Sequence, residues 1–93
     1  MVTVVEQPSA IHAIDEAKRR WARARDAWET IYWILSRDPQ AGNPINKNDI
    51  GKIRVFTLDG MRSLGMPTVT ILFEVSPSEL TIHDALFEES KIT

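Results

Sequence analysis

The chain contains no cysteine and only two histidines, His12 and His83, which stand far apart. Disulfides and thiolate chemistry are thereby excluded, and a zinc site would have to be built from histidine and carboxylate alone. With the histidines isolated, no metal site is expected. No cofactor is expected either, because the chain lacks a glycine-rich phosphate loop, a paired-histidine spacing and a nucleophile motif. No apolar run approaches the roughly 20 residues of a membrane helix. The opening residues, MVTVVEQPS, carry no charged stretch ahead of their apolar ones, so no secretory signal is read there. Neither membrane insertion nor export is expected, and a cytoplasmic location follows as the default. A net charge of −2 excludes a protein that coats nucleic acid with its whole surface.

Glycine is also scarce, and none of the four falls between Ser9 and Arg37. That stretch, SAIHAIDEAKRRWARARDAWETIYWILSR, is bracketed by Pro8 and Pro39 and holds all three tryptophans. Apolar residues recur at Ile14, Ala17, Trp21, Ala24, Trp28, Ile31 and Leu35, in steps of three and four, which mark one buried face of a helix. Trp33 lies beside this ladder, and Tyr32 is expected in the core with it. About 28 residues at about 1.5 Å each would span roughly 40 Å. A domain of this length has a radius of gyration of roughly 12 Å, so an unbroken rod would overhang it. Either the stretch folds into a helical hairpin or a second copy of the chain covers the overhang. The ladder keeps phase through Asp26, which favours a turn near Ile14 to Glu16 over one at the Asp26-x-x-Glu29 capping-box pattern.

The remaining segments read as strands and turns. Thr3 to Glu6 is a β-branched strand ended by Pro8, and Ser9 is a candidate helix N-cap. Asp38 to Gly51 is loop chemistry. Lys52 to Leu58 alternates polar and apolar residues, and Asp59-Gly60 is a hairpin signal. Thr68 to Val75 is apolar on both sides and reads as a central strand, with Pro67 confined to its start. Leu80 to Leu86 completes a second hairpin, and the residues from Phe87 read as a frayed tail. The expected fold is a single α+β domain over residues 1–93. Its order is β-α-α-β-β-β: a helical hairpin, or one long helix, packed on a mainly antiparallel four-stranded sheet.

Charge is distributed unevenly. Residues 18–25, KRRWARAR, hold five cations and no acid, whereas residues 84–89, DALFEE, hold three acids and no base. The basic strip is either a solvated helix face or a surface that meets RNA or an acidic partner. Its nucleic-acid-binding candidates are Lys18, Arg19 and Arg23.

This arrangement resembles the RelE/ParE superfamily of bacterial type II toxins, across nearly the whole chain. The resemblance rests on the order of elements and on Leu35-Ser36-Arg37-Asp38-Pro39-Gln40-Ala41-Gly42-Asn43-Pro44, which is similar to that family's L-x-x-D-P-x-x-G-x-P segment. It rests also on Lys52-Ile53-Arg54 and on Gly60-Met61-Arg62, where Met61 replaces the family's aromatic residue. It implies a toxin neutralised by a cognate antitoxin, and in RNA-cleaving members a ribosome-associated endoribonuclease acting on mRNA. Such cleavage needs a base for the 2′-hydroxyl, a cation at the phosphate oxygens and an acid at the leaving oxygen. The resemblance assigns Arg54, Arg62 and His83 to catalysis and Lys52 to nucleic-acid binding. The last strand, where cleaving members carry their acid–base groups, has His83 flanked by Asp84, Glu88 and Glu89. A related branch poisons a topoisomerase by contact and needs no catalytic residue. The alternative is a non-enzymatic interaction module with this fold, docking through its tryptophan-rich helical face or a sheet edge.

Overall fold

A computed structural model describes residues 3–44 and 53–92 of the chain. Strand β1 (Thr3–Glu6) leads through Gln7 into helix α1 (Pro8–Arg20). Gln7, not Ser9, is the N-cap. Pro8 occupies the first helical position, where its missing N–H costs nothing and its fixed φ suits the helix, so the helix starts before Ser9. The Ser9 hydroxyl instead donates to the carbonyl of His83 on the sheet.

The helical stretch is a hairpin with its break at Trp21–Arg23, rather than near Ile14 to Glu16 as the ladder suggested. Trp21 is extended (φ −122°, ψ 132°), and helix α2 runs over Ala24–Arg37. No glycine is needed, because every residue of the break keeps a negative φ. The break is held from outside the helices: the Arg23 N–H donates to the Gly65 carbonyl at 3.1 Å. Three residues replace nearly one helical turn, so the ladder survives. Ile14, Ala17, Ala24, Trp28, Ile31 and Leu35 are all buried, and Trp21 is partly buried. The radius of gyration is 13.0 Å, so no overhanging rod remains for a second copy to cover.

Five strands, rather than the expected four, form one mixed sheet in the order β1-β5-β4-β3-β2. The additional strand, β2 (Asn43–Pro44), is two residues long and pairs antiparallel with β3 (Ile53–Leu58) at Val55 and Arg54. Strands β3, β4 (Thr68–Val75) and β5 (Glu79–Glu88) form the antiparallel meander, while β1 pairs parallel to β5 after the two-helix crossover. Val69, Ile71 and Phe73 of β4 and Leu80 and Ile82 of β5 face the helices and are fully buried. Both helices cover this one face of the sheet, and Trp28 meets Phe87 with ring centroids 6.4 Å apart.

One turn and the C-terminal segment differ from expectation. Asp59-Gly60 does not close a tight hairpin. The connection runs to Pro67 and contains a 3-10 helix (Arg62–Leu64), a Met61–Met66 bridge and Gly65 at φ 68°. The C-terminal residues are tied down rather than frayed. Ser90 is 2% exposed, its hydroxyl donates to the Gly60 carbonyl at 2.8 Å, and it accepts the Ile92 N–H at 3.0 Å. Ser90→Ala leaves both groups short of a partner and is expected to cost about 1–3 kcal/mol. Denaturant unfolding would measure the loss, and faster amide exchange at Ile92 and Arg62 would place it at the tail.

Candidate functional site

The three candidate catalytic residues occupy three different environments. Arg54 lies on β3 opposite Phe73, on the face that the helices cover. Its Nη2 donates to the carbonyls of Gln40 (2.8 Å) and Gly42 (2.9 Å), so the guanidinium fastens the α2–β2 connection to the sheet. Its Nε is buried without a partner among the described residues. Arg62 sits in the 3-10 helix between β3 and β4. There its Nε donates to the Ser90 carbonyl at 3.1 Å and lies 3.9 Å from Glu89 Oε1. Both arginines have internal work: one binds a loop, the other the C-terminal segment.

His83 lies at a β-bulge of β5. Leu72 pairs with Asp84 and Phe73 with Ile82, leaving His83 as the extra residue of β5. The bulge shifts the alternation of the strand. Leu80 and Ile82 face the helices before it, and Ala85 and Phe87 do so after it. The imidazole, in alternation with Leu80 and Ile82, is turned to the outer face, where Nε2 donates to Glu74 Oε1 at 3.1 Å. Its described neighbours on that face are Thr81, Leu72, Asp84 and Glu74, none of them cationic. Ser90, the partner of Arg62, lies seven positions further along the chain, roughly 20 Å at the rise of a strand. Arg54 is on the opposite face. The fold thus brings Arg54, Arg62 and His83 to no common point.

The basic strip is largely self-neutralised. Arg19 pairs with Glu16 at 3.1 Å, Arg23 with Asp26 at 2.8 Å and Arg25 with Glu29 at 3.8 Å, while Arg20 stacks 4.4 Å over the Trp21 ring. These pairs are exposed, so each is worth about 0–1 kcal/mol. Lys18 borders a cleft of about 210 Å³ with Glu6, Ile11, Asp15 and Trp28. Lys52 lies outside the described residues.

Two aromatic residues stand elsewhere than expected. Trp33 is 58% and Tyr32 40% exposed on the outer side of α2, and the Arg37 guanidinium stacks 4.3 Å over the Trp33 ring. Glu29, Trp33 and Arg37 follow one another at steps of four, which places them together on the face opposite the ladder. That signal was legible in the spacing. Tryptophan, tyrosine and arginine are the residues that most often dominate binding energy at protein interfaces.

The outer face of the sheet is uncovered by either helix. It carries a shallow depression of about 140 Å³ lined by Val55, Thr70, Leu72, Asp84 and Leu86. Its described charges are Glu74, Glu79, Asp84 and Glu88, with His83 as their basic neighbour among the described residues. Among the described residues no cluster of three or more potential metal ligands exists, and no helix is long and apolar enough to cross a membrane. His83 and Glu74 are hydrogen-bonded to each other, but among the described residues no cation stands beside them to stabilise a phosphorane. The exposed aromatic platform and the open sheet need only a partner of matching shape and charge. No protein-family model matches the chain, and no curated protein matches it in sequence.

Proposed function

We propose that this protein acts by contact: a toxin-like domain of the RelE/ParE kind that inhibits its target, such as a topoisomerase, by binding it, and that a cognate antitoxin restrains. The carrying observation is the separation of Arg54, Arg62 and His83, with both arginines engaged by backbone carbonyls. The order strand, two helices, antiparallel strands supports the toxin-like part of the reading. The exposed Trp33, with Arg37 stacked on its ring, and the separately exposed Tyr32 support contact as the mode of action.

A second reading, ribosome-associated mRNA cleavage, is favoured by one feature, the His83–Glu74 pair on an open sheet face. Induced expression in a bacterial host separates the readings. Arrested growth with intact mRNA is expected. Arrested growth with cleaved mRNA would favour the nuclease, and unchanged growth would leave an interaction module without toxicity.

A further inference from the structure

Strand β5 is ten residues long, but its neighbour β1 is four. The β1 register ends at Glu6 opposite Ile82, because Pro8 has no N–H and turns the chain into α1. The last links across this edge are the Gln7 N–H to the Ile82 carbonyl and the Ser9 hydroxyl to the His83 carbonyl. From Asp84 to Glu88 the strand pairs with β4 on one side, and no described residue pairs with it on the other. The backbone direction there follows from the bulge. Before it, the carbonyls of Ser78 and Ile82 face β1; beyond it, the odd-numbered residues take that direction. Accordingly the Ala85 N–H is satisfied not by β4 but by the Asp84 carboxylate, at 2.9 Å. Alternation then gives Phe87 the same open edge.

Beside this edge lies a groove of about 190 Å³ between α1 and β5. Its α1 side is formed by Ala13, Glu16, Ala17 and Arg20, the last stacked on Trp21, and its β5 wall by Ala85, Leu86 and Phe87. On the outer face the same stretch presents Asp84, Leu86 and Glu88 at alternate positions, and Leu86 is 55% exposed. An open backbone edge, an apolar groove on one side and an acid–apolar–acid row on the other fit the requirements of strand addition.

We infer that the Asp84–Glu88 edge binds an extended peptide segment of a partner protein, one carrying a cation, an apolar residue and a second cation at alternate positions. Backbone hydrogen bonds to the Ala85 carbonyl and to the N–H and carbonyl of Phe87 supply the pairing, while Asp84 keeps the Ala85 N–H. The two cations face Asp84 and Glu88, and the apolar residue covers Leu86. Charge decides against a second copy as the occupant. An antiparallel pairing of two β5 edges about Leu86 sets Asp84 opposite Glu88 twice, and like charges directly opposed destabilise a strand pair. The inference deepens the contact reading by naming a partner class, yet its test does not depend on toxicity. Growth arrest and edge binding can each fail without the other.

The full chain would be titrated against a fluorescein-labelled decapeptide centred on Lys-Thr-Leu-Thr-Lys, with a Glu-Thr-Leu-Thr-Glu version as control, and binding followed by anisotropy. Saturable binding of the lysine peptide alone is expected, with new amide-exchange protection at Phe87. The double variant D84K/E88K alters two exposed side chains. It is expected to weaken the lysine peptide about tenfold and to accept the glutamate peptide. Absence of binding, equal binding of both peptides, or protection at α2 instead of Phe87 would overturn the inference. In that event Asp84 and Glu88 serve only to keep the edge unpaired.

Discussion

Truncating Phe73 to alanine is expected to lower the unfolding free energy by about 3–5 kcal/mol. Phe73 is the largest of the fully buried side chains, and it sits on the central strand with β3 and β5 on either side. Arg54 pairs opposite it, and the helices close over the same face. Neither neighbouring strand can move inward without breaking its own ladder, so the vacated volume persists as a cavity. A domain of this size has about 5–15 kcal/mol in total, so the variant will stand near its folding limit. Urea unfolding followed by tryptophan emission would show a lower midpoint with an unchanged slope. A loss under about 1 kcal/mol would mean that the core is looser around Phe73 than this packing requires.

Gly60→Ala is expected to cost about 3 kcal/mol, at the upper end of the range for an overpacked site. The reason is steric rather than conformational. An added Cβ would overlap the Met66 carbonyl oxygen and the Pro67 backbone, neither of which can swing aside as a flexible side chain can. Relief requires moving the Met61–Met66 bridge, where each N–H donates to the other residue's carbonyl at 2.9 and 3.1 Å. It also strains the Ser90 hydroxyl bond to the Gly60 carbonyl. Gly65 is the internal control. Its φ of 68° disfavours a side chain, but a Cβ there meets only the Ala22 Cβ at 3.6 Å. Gly65→Ala should therefore cost only about 1 kcal/mol. Thermal unfolding of the two variants side by side tests the ordering; equal losses would show that the Gly60 turn relaxes freely.

The parts of this fold legible in the sequence are those where one periodicity dominates. The seven-residue ladder names the buried helix face, and the apolar run from Val69 to Phe73 names the central strand, because both report burial directly. The helix break does not show, since Trp21 to Arg23 leave the helix through a tertiary hydrogen bond to Gly65 rather than through a glycine or proline. Strand β2 is two residues long and has no period to read. The C-terminal tail is held by Ser90 and by the Ile92 carbonyl, whose partners are more than twenty residues away in Gly60 and Arg62. Arg54 and His83 were named as site candidates from residue type and position along the strands. What each does is set by the face it occupies: Arg54 turns to the helix side, and His83, alternating with Leu80 and Ile82, turns outward beside Glu74. The bulge that then turns Ala85 and Phe87 inward is a property of pairing between two strands, and one strand's alternation does not contain it.

Contact rather than catalysis is tested most directly by expressing His83→Ala and Trp33→Ala beside the parent chain in a bacterial host, with growth and mRNA integrity followed together. Both side chains are at least a third exposed, and surface changes of this kind usually shift stability by about 0.5 kcal/mol or less. The account predicts that the parent chain arrests growth with intact mRNA. His83→Ala should do the same, and Trp33→Ala should relieve the arrest. Cleaved mRNA with the parent chain, abolished by His83→Ala and untouched by Trp33→Ala, would contradict it.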